Sequence, residues 1–201
     1  MPNWAVTDYV ITGSKEDVKK IADAANNAGK SGDQPGAFGR WLGAFAKNLG
    51  IDWEALNIMV RGEFASEIEY NENEDGTAEL RFMTESAWAG CDDLFEAVRN
   101  LFDGRVSISY CCEEPGCCVY YKHDEGGYFP SEVHIECGGE PFDFQDGQYD
   151  CITVKDAIDY WCECMEYDST GKSEEEMLKI IDDYEYEDDD TYYRIDKVEV
   201  E

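Results

Sequence analysis

The stretch AVTDYVITGSKEDVKKIADAANN, residues 5–27, sets the reading of the fold. Ala5 to Thr12 is apolar and β-branched, which suits a strand, and Gly13 closes it. Ser14 follows as an N-cap, with Asp17 three residues on as a variant of the capping box. Val18, Ile21, Ala22 and Ala25 then recur at helical spacing. A strand feeding an amphipathic helix opens a layered α+β arrangement.

The chain beyond extends that pattern. GKSGDQPG (29–36) breaks the helix, and a second helix is predicted from near Ala37. Its apolar face is Phe38, Trp41, Leu42, Phe45 and Leu49, with Gly50 as terminator. Phe64, Ser66, Ile68 and Tyr70 alternate with Ala65, Glu67 and Glu69 as one half-buried strand. NENEDG (71–76) is a turn, after which Ala78, Leu80 and Phe82 alternate again. Leu94, Phe95, Val98, Leu101 and Phe102 mark a helix ending at Gly104. Val106, Ile108 and Tyr110 form the next strand, which EEPG (113–116) turns back into Val119 and Tyr121.

This order predicts an α+β fold: a ferredoxin-like antiparallel sheet with helices on one face, over residues 1–130, carrying a helical insertion at about 32–60. Residues 131–201 read as an acidic α+β extension packed on it. Thr153 with Asp156 opens one helix there, with Val154, Ala157, Ile158, Trp161 and Met165 inward. Ser173 with Glu176 opens another, with Met177, Ile180, Ile181 and Tyr184 inward. A strand-like stretch, Tyr192 to Val200, closes the chain.

Charge is distributed unevenly. The 201 residues carry a net −31, yet residues 1–60 hold seven acids and six bases. Residues 132–201 hold 24 acids and five bases. Such a surface repels nucleic acid, anionic membranes and acidic substrates, and attracts basic protein surfaces. With 43% hydrophobic and 13% aromatic residues the chain can still build a core. No apolar run approaches the ~18 residues of a membrane span. The start, MPNWAVTDYVITG, has neither the basic region nor the apolar stretch of a signal peptide. Nine cysteines without an export signal point to reduced thiols in a cytoplasm.

Several short motifs carry a family resemblance: MPNW (1–4), ITG (11–13), WLGAFAKNLGIDW (41–53), RGEF (61–64), TESAW (84–88), EEPGCCVYY (113–121) and GGYFP (126–130). In this order and spacing the chain resembles the YubB-type ferredoxin-like proteins carried by phages, plasmids and conjugative elements. The likeness covers about residues 1–135. It implies the βα/ββαβ fold and an association with mobile DNA, but supplies no catalytic residues. Ala5 departs from the family, in which Cys commonly follows the PNW. The acidic C-terminal third lies largely outside the resemblance.

Three constellations invite chemistry. Cys111, Cys112, Cys117 and Cys118 offer four thiols within eight residues. With EEPG as the hairpin loop, Cys112 faces Cys117 and Cys111 faces Cys118. Alternation then splits the sulfurs between the two faces, which opposes a tetrahedral metal site. The opposed pairs leave a disulfide open. Cys91 sits at a helix start, where the dipole lowers a thiol pKa, or is simply a small residue there. Cys162 and Cys164, two apart on a helix, do not face each other. His123 and His134 lie in no nucleophile motif, so no catalytic residue, metal or cofactor is assigned.

The third constellation is the acidic run of Glu174, Glu175, Glu176, Asp182, Asp183, Glu185, Glu187, Asp188, Asp189 and Asp190. Its plain reading is a solvated face. Its sharper reading is a partner-binding surface that imitates the charge row of a nucleic acid. Tyr184, Tyr186, Tyr192 and Tyr193 would then anchor it against a basic, nucleic-acid-binding protein such as a host-defence nuclease. A Cys-rich structural or metal-binding module and an enzyme of unrecognised type are the alternatives. Neither direct nucleic-acid nor membrane binding is expected.

Overall fold

The computed structural model describes residues 3–30, 40–142 and 153–201. It is an α+β protein, and the chain divides into two compact units: Met1–Phe129 with Val200–Glu201, and Pro130–Glu199. No helix among the described residues is long and apolar enough to cross a membrane.

The first unit begins with β1 (Trp4–Ser14) and α1 (Lys15–Asn27). Ser14 Oγ accepts from Asp17 N–H at 3.2 Å, as the capping pattern predicts. The Asp17 carboxylate does not complete the box; it pairs with Arg105 at 3.1 Å. Then come α2 (Leu42–Leu49), β2 (Gly62–Phe64), β3 (Glu69–Glu72), β4 (Thr77–Ala87) and α3 (Asp92–Leu101). β5 (Ser107–Glu114) and β6 (Val119–His123) follow. β1 pairs antiparallel with both β4 and β5, and β5 pairs antiparallel with β6. β2 and β3 both pair with β4, at opposite ends of it.

Helices and sheet meet in one core. Tyr9, Ile11, Leu80, Phe82 and Ile108 from the strands pack with Val18, Ile21, Phe45, Phe95 and Val98 from the helices. An aromatic group centres it, with the Tyr9 and Phe95 rings stacked at 4.0 Å between centroids. Leu101, expected inward, stands exposed at the end of α3.

Two other expectations are corrected. The second helix starts at Leu42, because Trp41 is extended and bridges Glu63; Ala37 and Phe38 lie outside the described residues. The strand expected over 64–70 is two strands. Between them Ser66 Oγ accepts from Met83 N–H at 2.8 Å, so a side chain takes a place in the ladder. Ser66 also accepts from the Arg40 guanidinium through its carbonyl. The interruption is a local bulge of the kind a Ser can stabilise.

The second unit contains β7 (Val133–Gly138), α4 (Val154–Cys164), α5 (Glu174–Asp182) and β8 (Tyr192–Lys197). β7 and β8 form an antiparallel pair with Ile135 opposite Ile195. Trp161, Ala157, Ile158, Met177 and Ile181 close over it with Phe142 and Tyr193. Both capping boxes form, at Thr153–Asp156 and Ser173–Glu176. β7 was not anticipated, although Val133 and Ile135 alternate with His134 and Glu136. The end of the chain turns out to be two strands, with β9 (Glu199–Val200) next to β6 in the larger sheet.

Candidate functional site

The acidic run is built on α5 and the segment after it. Ser173 caps the helix, and the Glu176 carboxylate accepts from Ser173 N–H at 2.8 Å. That bond holds the Glu176 carboxyl below its usual pKa. Glu174, Glu175 and Glu176 occupy the first turn, where the helix dipole favours negative charge. Met177 and Ile181 turn inward and fix which way the helix faces. Asp182 ends α5 and Asp183 caps it, with Glu185, Glu187, Asp188, Asp189 and Asp190 beyond.

All ten carboxylates are exposed. They form two clusters, since residues 177–181 carry no acid and Lys179 stands between. At ~1.5 Å rise per residue the gap from Glu176 to Asp182 is about 9 Å. The clusters differ electrostatically. Glu174–Glu176 sit at the favourable end of the helix, while Asp182 and Asp183 sit at the end where a negative charge costs about 0.3–1 kcal/mol. Among the described residues none of the ten forms an ion pair with Lys or Arg.

The expected aromatic anchors divide likewise. Tyr186 OH accepts from Trp161 Nε1 at 2.9 Å, and Tyr193 OH donates to the Ala157 carbonyl at 2.8 Å. Both hold the unit together and are unavailable to a partner. Tyr192 is exposed, and so is Tyr184, which the helical spacing places inward but which lies past the end of α5 at Asp182. Tyr184 lines a cleft of 740 Å³ with Tyr167, Ile180 and Lys179, edged by Glu176, Asp183 and Glu185. Lys172, on the same cleft, is engaged, with its ammonium 5.0 Å from the Tyr167 ring centre and 3.0 Å from the Asp168 carbonyl.

The cysteine geometry is corrected by the register. Glu113 and Glu114 stay in β5, and the turn is Pro115–Cys117, with Cys118 left-handed at φ 55°. Proline lacks an N–H and fixes φ, so it starts the turn rather than sitting inside it. Cys112 therefore faces Tyr121 and Cys111 faces Lys122, while Cys117 and Cys118 lie exposed in the turn. Cys91, Cys111, Cys112, Cys117 and Cys118 are free thiols. Among the described residues no group of three or more His, Cys, Asp or Glu is placed to hold a metal ion. The dipole reading of Cys91 gains no support, because burial pushes its thiol up. Cys162 and Cys164 pack against the second core.

One polar cluster escaped the sequence reading. Asp92, the first residue of α3, accepts from Tyr121 OH at 2.5 Å and from Tyr9 OH at 3.4 Å. Tyr121 OH in turn accepts from Gly90 N–H at 3.1 Å. A Cβ on Gly90 would lie 2.5 Å from Asp92 Oδ1 and 2.8 Å from Tyr121 OH, so a larger residue would force these two hydrogen-bonded side chains to shift. Burial raises the Asp92 carboxyl above its ordinary pKa, the Tyr121 and Tyr9 hydrogen bonds lower it, and Glu201 adds to the rise. The cluster pins the start of α3 to β1 and β6. His123 stacks on Tyr110, and Tyr110 OH donates to the Glu201 carboxylate at 2.8 Å. An acid at a helix start is ordinarily a solvated, dipole-favoured residue, so nothing in the sequence signals its burial.

Comparison of the chain with protein families, with curated proteins and with solved structures gives no match.

Proposed function

We propose that this is a non-enzymatic binding protein whose acidic unit occupies the basic, nucleic-acid-binding cleft of a partner protein. The observation that carries the reading is the placement of Asp182 to Asp190. Seven exposed acids start at the negative end of a helix and continue past it, with no cationic neighbour in ion-pair distance among the described residues. Self-repulsion of this kind destabilises a fold and is better explained by a partner that neutralises it than by solubility alone. The exposed Tyr184 beside the acids supplies the aromatic contact that interfaces favour. The Glu174–Glu176 cluster has a capping role of its own and is the weaker half of the surface.

The ferredoxin-like topology belongs to the same reading. Strand order β3–β4–β1–β5, with α1 after β1 and α3 between β4 and β5, supports it. So does the mobile-element origin implied by the YubB-type resemblance, which makes a host nucleic-acid-binding or defence protein the sensible target and a cytoplasm its place.

The test is displacement. The protein should release a labelled DNA duplex from purified basic nucleic-acid-binding proteins of a bacterial host, less so as salt rises. Reversal of the seven acids from Asp182 to Asp190 to Lys should abolish release, whereas reversal of seven exposed acids in the first unit should not. Equal loss in both variants would reduce the effect to bulk charge and remove the proposal.

A further inference from the structure

The first unit has a second exposed surface that the acidic run does not explain. On β1, alternate residues Trp4, Val6 and Asp8 point away from the helices, while Ala5, Thr7 and Tyr9 are buried. Register places Val6 opposite Glu85 and Asp8 opposite Met83 on β4, so these side chains share the helix-free face. Trp4, Val6 and Met83 are 53%, 37% and 36% exposed. Large apolar side chains gathered on one face of a water-soluble surface mark an interaction site more often than scattered ones do.

The rest of that face has its own cover. Val10, further along β1, is buried. The segment after β6 lies there: Phe129 shares a pocket with Val10 and Arg81, and the Arg81 guanidinium is 5.3 Å from the Tyr128 ring centre. Lys122 fastens the segment by donating to the Phe129 carbonyl at 2.7 Å. Asp8 and Met83 border the same pocket, whereas Val6 and Trp4 do not line it. At the open end the chain leaves β4 through Trp88, which is half exposed and held at φ 76°. A bulky residue in the left-handed region is strained, and such strain gathers at working surfaces.

We propose that this open end of the sheet docks an amphipathic helix of a partner protein, apolar on the side that meets Trp4, Val6 and Met83 and bearing Lys or Arg along its flanks. The charge on the face selects that chemistry. Asp8 and Glu85 flank Val6 and form no ion pair among the described residues, which matches a cationic rim. The same carboxylates disfavour nucleic acid and anionic lipid. A second copy of this chain is disfavoured too, because each copy carries −31. The proposal uses no residue of the acidic run and stands or falls without it.

The experiment uses the full chain and a synthetic Leu/Lys peptide with its leucines at helical spacing. Two controls are a scrambled peptide of the same composition and a Leu/Glu version of the helix. The Leu/Lys helix should bind and shift Trp emission to the blue, and Trp4→Phe should shrink that shift. Val6→Lys with Met83→Lys should weaken binding about tenfold or more, the scale of losing an interface anchor. Both positions are exposed, so folding should survive; Trp4→Ala is the second variant, with circular dichroism as the fold check. The variant with Asp182 to Asp190 reversed should bind as the parent does. Equal binding of the scrambled peptide, unchanged affinity in the Val6/Met83 variant, or loss confined to the reversed acidic run would each overturn the proposal.

Discussion

The two units solve the same problem with very different means. Among its described residues the first buries 25 apolar residues in one cluster, and its sequence carries 24 acids against 11 bases. The second buries nine among its described residues and carries 23 acids against five bases in about half the length. Where the first unit brings acids inward it gives them partners, as with Asp17 on Arg105 and Asp92 on Tyr121 and Tyr9. The second leaves its densest acids outside, at the unfavourable end of α5. A small core bearing a large unneutralised charge is poorly explained by stability, which is why the charge reads as function.

The sharpest way to break that comparison is Trp161→Ala. Among the described residues Trp161 is the largest fully buried side chain of the second unit, tilted against Tyr167, edge-on to Tyr184 and hydrogen-bonded to Tyr186. Truncating a buried Trp costs ~3–5 kcal/mol, a large share of what a core this size supplies. The second unit should unfold while the first keeps its own melting transition, read by hydrogen exchange on β7 against β1. Joint unfolding would show that the units are energetically one.

The next effect concerns pH. The native state holds the Asp92 proton more tightly than the unfolded chain, whose carboxyl titrates near 3.8. Stability of the first unit therefore falls as pH rises from the unfolded value through the raised native one. Asp92→Asn keeps an acceptor for Tyr121 and removes the titration. Its stability should exceed the parent's above that window by on the order of 1 kcal/mol and match it below. Urea melts at several pH values measure it; a parallel offset at every pH would refute the assignment.

How much of this was legible depends on range. Patterns that act within one turn were readable: Ser14, Thr153 and Ser173 cap as expected, and Val18, Ile21 and Ala25 face inward. Long-range choices were not. The β5–β6 register depended on whether the turn began at Glu113 or Pro115, and moving the turn by two residues shifted the partner of Cys112 by four, from Cys117 to Tyr121. Ser66 broke a strand because it found Met83 across the sheet. Asp92 is half-buried by residues far from it in the chain. The acidic run and its division by Met177 to Ile181 were visible in the sequence, but which cluster sits at the favourable end of α5 needed the helix bounds. For the same reason the exposure of Trp4 and Val6 followed only from the sheet.

The smallest expected effect sharpens the comparison most directly, because the same chemistry occurs in both units. Ser14 and Ser173 each cap a helix through Oγ, at 3.2 and 3.3 Å. Removing such a cap costs ~1 kcal/mol. α1 has six buried residues to hold it in place, whereas α5 has two. Ser14→Ala should therefore lower the melting point of its unit slightly, with α1 still protected from exchange. Ser173→Ala also removes the bond that Ser173 Oγ donates to the Glu176 carboxylate at 3.2 Å, leaving that charge with the backbone N–H as its partner in the cap. Exchange protection should fall first at the start of α5, and added salt should restore part of it by screening the acids. Equal loss at both helices, insensitive to salt, would mean that charge does not weaken the second unit, and the inference from self-repulsion to a partner would lose its support.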